Sequence, residues 1–238
     1  MEKYILSEGD IRNLPLEQQY AYNQFLSIIY DKGIVYKAQL DSFDEILQQQ
    51  YRARVLFNPN SLERYPEILA KNLQNVINTI TGIRNDAING KRSFKEMNFN
   101  LINEGLEILK SFIEGKLRSY RGSIGVMELE ALLPRIEELK SQILKDMQFY
   151  QGYNDEKTAA IVDYRIKKEA YEKLSLFGKL AAKINGKKKE LSEAQYKNSY
   201  YGMAEIAMVN RQPGDIINPY QYEEYLKQQE QSTGGMKR

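Results

Sequence analysis

Residues 129–150 read LEALLPRIEELKSQILKDMQFY, and Leu129, Leu132, Ile136, Leu139, Ile143, Met147 and Tyr150 recur in it at steps of three and four. Side chains so spaced stack along one side of an α-helix and form the seam by which helices pack in bundles. A second seam, Leu69, Leu73, Val76, Ile80 and Ile83, repeats the same steps. Two such seams in one chain call for an all-α bundle. Pro134 interrupts the first; lacking an N–H and crowding the residue before it, it is expected to kink this helix or to mark its start.

Further helices follow on either side. Tyr22, Phe25, Leu26, Ile29 and Tyr30 mark a helix over 16–30, with Gly33 as its stop. Leu40, Phe43, Ile46, Leu47, Tyr51, Val55 and Leu56 mark another over 38–57, broken by Asn58-Pro59-Asn60, after which Ser61 is placed to cap the helix of the second seam. That helix is expected to close at Asn89-Gly90. Ser93 with Glu96 three residues on forms a capping box for a helix with Met97, Leu101, Ile108 and Phe112 on its face. Residues 121–125, RGSIG, read as a loop, and 152–155 as a break. One helix is then expected over 156–184, ended by Asn185-Gly186, and a weaker one over 190–209.

No strand pattern or fixed-period repeat is present. The expected fold is therefore an all-α multi-helix bundle of about six or seven helices with extended N- and C-terminal arms. Its organisation is an arm over 1–15, a helical body over 16–209 and a docking tail over 210–238.

Composition narrows the chemistry. None of the 238 residues is histidine, cysteine or tryptophan. Without imidazole or thiol there is no Ser/His/Asp or Cys/His nucleophilic pair, and zinc, copper, haem and iron–sulfur sites of ordinary type lose their ligands. Oxygen-only magnesium or calcium sites remain, yet the alternating acids and central glycine of a calcium loop are missing. Asp41, Asp44 and Glu45 read as a solvated helix face, and so do Glu128 and Glu130. The stretch from Gly82 to Ser93 falls short of a phosphate-binding loop, because the required first glycine position is Asn85. Ser141 with Lys145 and Ser175 with Lys179 stand at helical spacing, but a catalytic lysine needs an apolar setting that these stretches lack. No catalytic residue, metal, cofactor or small-molecule substrate is expected.

Net charge is +2, from 34 basic and 32 acidic residues, so only a local patch would draw the chain to an anionic partner. Residues 165–189 supply one. Nine basic residues stand there against two acidic ones, a local charge of +7. Leu174, Phe177, Leu180, Ala181 and Ile184 form an apolar stripe beside a basic one of Lys179, Lys183 and Lys187, continued by Lys188 and Lys189. The pattern suits an amphipathic helix at a lipid or nucleic-acid surface; it equally describes a bundle helix whose apolar stripe faces the core. Tyr196, Tyr200 and Tyr201 nearby could stack on bases.

In the tail, Ile216, Ile217, Tyr220, Tyr222, Tyr225 and Leu226 are too few for a core and too apolar for a solvated linker, which suggests docking onto a neighbouring subunit or back onto the chain's own bundle. The functional expectation is a non-enzymatic structural protein of virion or connector type from a bacteriophage, assembling as a homo-oligomer through its arms. The alternative is an anionic-membrane or nucleic-acid binder using 165–189. With no apolar run of signal or membrane-spanning length, the expected location is cytoplasmic or virion-associated.

Overall fold

The computed structural model describes residue 6 and residues 8–55, 64–89 and 91–210. They are all-α, with no strand among them. In chain order the helices are α1 (Glu8–Arg12), α2 (Leu16–Lys32), α3 (Lys37–Val55), α4 (Tyr65–Ile88), α5 (Phe99–Ser119), α6 (Val126–Glu130), α7 (Leu132–Glu172), α8 (Leu176–Ile184) and α9 (Lys187–Asn210). The chain forms two compact units, one of Met1–Asp86 with Lys95–Lys145, the other of Ala87–Phe94 with Asp146–Arg238.

The first unit holds most of the buried apolar side chains. The seam on α4 is buried along its whole length, Leu69 through Ile83, and so are Leu129, Leu132, Ile136, Leu139 and Ile143 of the other seam. From α2 and α3 come Tyr22, Phe25, Ile29, Leu40, Phe43, Ile46 and Leu47. Phe43 stacks on Phe25 with ring centroids 4.3 Å apart and on Tyr22 at 5.6 Å, an offset geometry that adds to the area buried. Gly33 ends α2 in the left-handed conformation, φ 67° and ψ 21°, its N–H donating to the Ile29 carbonyl, a conformation that glycine adopts without strain.

Two glycines set how closely backbone can approach a helix here. A Cβ on Gly105 of α5 would lie 2.8 Å from the Val35 nitrogen, and one on Gly125 would lie 2.3 Å from the Glu67 nitrogen. Gly105 thereby selects which side of α5 is buried. Leu101, Ile108 and Phe112, the expected face, are only half-buried, whereas Ile102, Leu106, Leu109 and Ile113 are buried. The helix has apolar residues on two adjacent stripes, and the one carrying the glycine meets the chain at Val35.

Polar contacts tie α7 to its neighbours within the same unit. Lys110 pairs with Glu137 at 2.7 Å, Lys140 with Glu107, and Arg135 donates to Gln74 and, at 3.1 Å, to Asn78. The hydrogen bond from Lys110 holds the Glu137 carboxyl below the usual carboxylate range.

Several helix ends differ from expectation. Residues 94–96 form a single 3-10 turn that places Phe94 and Met97 in buried positions, and α5 begins afterwards, capped by Asn98, whose side chain accepts from the Leu101 N–H. Ser93 is thus not the cap. Pro134 sits in the first turn of α7, where its missing N–H has no helical partner to lose. The expected break at 152–155 is absent, since α7 runs on to Glu172 through Gly152. A glycine inside a helix costs about 1 kcal/mol, too little to end one that buries Tyr153 next to it. Conversely, 156–184 is not one helix, because Lys173–Ser175 interrupts it. Within the expected extended arm over 1–15, residues 8–12 are helical and Leu6 and Leu14 are buried. Ser61 and Asn58-Pro59-Asn60 lie outside the described residues.

The glycines yield a paired test by urea unfolding. No atom lies within 4 Å of a Cβ on Gly82 in α4, so Gly82→Ala is expected to raise stability by about 0.5–1 kcal/mol through helix propensity. Gly105→Ala is expected to lower it by about 1–3 kcal/mol through overpacking against Val35. Equal effects at the two sites would contradict the close approach at Gly105.

Candidate functional site

The segment from Leu174 to Gly186, LSLFGKLAAKING, folds as a short capped helix. Ser175 is extended, and its hydroxyl accepts from the Gly178 N–H at 3.2 Å, satisfying one of the free donors of the first turn. At the other end Asn185 donates its N–H to the Ala181 carbonyl, and Gly186 turns the chain at φ 79° into α9. The two helices pack on each other.

The large apolar side chains of α8 are open to solvent. Leu176 is 85 % exposed, Phe177 87 %, Leu180 65 % and Ile184 78 %, while Ala182 is 4 % exposed. At 100° per residue those four large side chains fall on one side of the helix, and Gly178 and Ala182 fall opposite. The apolar stripe therefore faces outward. A bundle helix does the reverse, so of the two settings the sequence left open for this stripe the core-facing one is not met.

The basic side chains lie along the same hairpin. Lys179 is half-buried with its ammonium 5.8 Å from the centre of the Tyr171 ring, and Lys183 is exposed at the rim of the apolar face. Lys187, Lys188 and Lys189 are exposed in the first turn of α9. Cations are disfavoured there, because a helix N-terminus carries partial positive charge. Among the described residues Lys173, Lys183, Lys187, Lys188 and Lys189 make no ion pair. Local stability therefore does not account for the three lysines of α9. Tyr196 is exposed on α9; the Tyr200 and Tyr201 side chains, and Ile216, Ile217, Tyr220, Tyr222, Tyr225 and Leu226, lie outside the described residues.

The first unit contains a second polar constellation, which the sequence did not single out. Asp44, read as solvated, is buried, with its carboxylate accepting from Tyr65 Oη at 2.6 Å, from Gln48 Nε2 at 2.8 Å and from Lys116 Nζ. Of its neighbours, Asp41 is half-buried and Glu45 exposed. Burial first, then the facing Asp44 carboxylate, pushes the Tyr65 hydroxyl far above its usual range, and the same two causes raise Tyr120. Lys116 also lies 5.0 Å from the centre of the Phe112 ring.

A cleft of about 570 Å³ opens beside this cluster, lined by Lys37, Asp41, Glu107, Ile108, Phe112 and Lys116 among others. Its ionised groups are engaged with one another or with neighbours: Lys37 with Asp41 at 2.6 Å, Lys116 with Asp44, and Glu107 with Lys140. Such pairing makes the cluster a tie between α3, α4 and α5, whose disruption would leave a charge buried without a partner. Among the described residues no three Asp or Glu side chains gather as a metal site requires.

No protein-family model matches the chain, and neither a curated protein nor a solved structure matches it.

Alkaline unfolding tests the buried tyrosine. Tyr65 stays protonated in the folded chain above the pH at which unfolded tyrosines ionise, so stability is expected to hold below about pH 10 and to fall above it. Tyr22, raised mainly by burial, contributes in the same direction. In Tyr65→Phe, the unfolding free energy from urea titration should drop by about 1.5–3 kcal/mol at neutral pH, where a hydrogen bond to a charged group is lost. The further alkaline loss should then be smaller than in the parent chain. An unchanged alkaline slope would contradict burial of the Tyr65 hydroxyl.

Proposed function

We propose that this chain is a non-enzymatic helical assembly protein that works by surface contact, with the outward apolar side of α8 as its docking element. The exposure of Leu176, Phe177, Leu180 and Ile184 on one helix side carries this reading. Contiguous apolar surface left open to water is costly and marks sites of interaction more often than chance. Val162 and Ile166 of α7 and Tyr196 of α9, also exposed and in the same compact unit, supply further apolar contact area.

The division of labour follows from burial. The first unit encloses nearly all the buried aliphatic side chains and is the stable scaffold; the second presents unburied ones. In the proposal, homo-oligomer formation of virion or connector type uses the aromatic segment from Ile216 to Leu226, and α8 supplies the contact face for a further partner. An anionic-surface role for α8 is the second reading, favoured by lysines at and beyond its rim that make no ion pair among the described residues.

Nile red, an uncharged dye that fluoresces on apolar surface, provides the check alongside light scattering. The folded full-length chain should enhance its emission, and L180S/I184S should reduce the enhancement by at least about twofold without lowering the thermal midpoint, as expected for a solvent-facing patch. An oligomer that reverts to single chains in that variant would support the same reading with a second copy as occupant. A folded monomer that leaves the dye dark would contradict it.

A further inference from the structure

The chemistry around the open side of α8 indicates what it docks on. Between Lys173 and Lys189 the chain has six lysines and no acidic residue. Lys183 flanks the apolar side of α8, and Lys187–Lys189 follow one turn beyond it after Gly186. The surface is thus an aliphatic and aromatic strip, Leu176, Phe177, Leu180 and Ile184, edged by lysines, with Glu172 and Glu190 the nearest acids along the chain, just outside them.

Three occupants can be compared on that basis. A second copy apposed through the same face would bring lysines against lysines, and a nine-residue helix offers less than the roughly 800 Å² per partner that a stable interface needs. Nucleic acid would use the lysines but not the strip, since Leu176, Leu180 and Ile184 have no role against phosphates and only Phe177 could stack on a base. An anionic phospholipid surface uses both. Aliphatic side chains and Phe177 enter the boundary between headgroups and acyl chains, and lysine stems extend upward so that their ammonium groups reach lipid phosphates. Among the described residues no helix is long and apolar enough to cross a membrane, so the contact would lie in the plane of the surface.

We propose that α8 seats flat on an anionic phospholipid surface, burying Leu176, Phe177, Leu180 and Ile184 in the interface, with Lys173, Lys183 and Lys187–Lys189 among the phosphates. This rests on the reading of α8 as a contact element and names its partner. The arrangement needs both components. Three lysines in the first turn of α9, unfavourable for that helix in water, become favourable beside a negative surface.

The experiment is flotation of the full-length chain with vesicles of phosphatidylcholine alone and of phosphatidylcholine mixed with phosphatidylglycerol. The chain should float with the mixed vesicles, remain behind with the neutral ones, and detach as salt is raised. Two variants separate the components: L180S/I184S, and the charge reversal Lys183→Glu, Lys187→Glu, Lys188→Glu, Lys189→Glu. Each should lower partitioning by about tenfold or more while leaving the circular dichroism spectrum and thermal midpoint unchanged.

Failure to float with anionic vesicles, equal flotation with both compositions, or undiminished flotation of either variant would overturn the proposal. A chain that lights Nile red yet ignores anionic vesicles would refute the lipid partner while the contact reading stands. In that event retarded DNA or a self-associated species would reassign the face. A monomer that neither binds the dye nor floats would refute both.

Discussion

Small residues on the inner side of α8 constrain what the rest of the hairpin can present. Ala182 is the one buried residue of α8 and is small, while the larger apolar side chains are turned to solvent. A nine-residue helix is marginal in water by itself and depends on tertiary packing. Here that packing comes from the side with least to bury, supported by the Ser175 cap and the turn at Asn185-Gly186. The local fold thus holds its apolar material outward.

The first unit, which does not include α8, encloses most of the buried apolar side chains. In the first unit the seams of α4, α6 and α7, the buried stripe of α5 and the stacked rings of Phe25 and Phe43 enclose a continuous core. Burial of large apolar side chains is worth roughly 1.5–3 kcal/mol each before ordering costs. Asp44, Tyr65 and Lys116 add a polar tie between α3, α4 and α5, in which each carboxylate contact is matched by a donor. Nothing in this core draws on Leu176, Phe177, Leu180 or Ile184, so surface changes on α8 can alter contact without altering the scaffold.

Much of the scaffold was legible in the sequence, and the reasons for the exceptions are physical. Steps of three and four in residues 69–83 and 129–143 named side chains that are buried, because a long one-sided seam leaves a helix a single face to bury. On α5 two adjacent stripes competed, and the deciding residue was Gly105, whose meaning emerges only when Val35 comes to lie against it. Asp44 looked like a surface acid because its partner Lys116 is 72 residues away. The interruption at Lys173–Ser175 was masked by helix-forming neighbours, although Ser175 is of a type that favours the N-cap. As for the candidate site, amphipathy and charge in 165–189 were readable, but which side of α8 is buried was not. Periodicity reveals a stripe without revealing what it faces, and the clue lay in the small size of Gly178 and Ala182.

The absence of native cysteine makes the orientation of α8 directly measurable. Single cysteines placed at Phe177, Leu180, Ile184 and Ala182 in the full-length chain, each labelled with a maleimide under native conditions, report which side is open. F177C, L180C and I184C are expected to label at rates near those of unfolded chain, and A182C at least about tenfold slower, as local opening would then be required. Slow labelling at positions 177, 180 and 184 with fast labelling at 182 would show the helix turned the other way and would contradict an outward apolar side of α8.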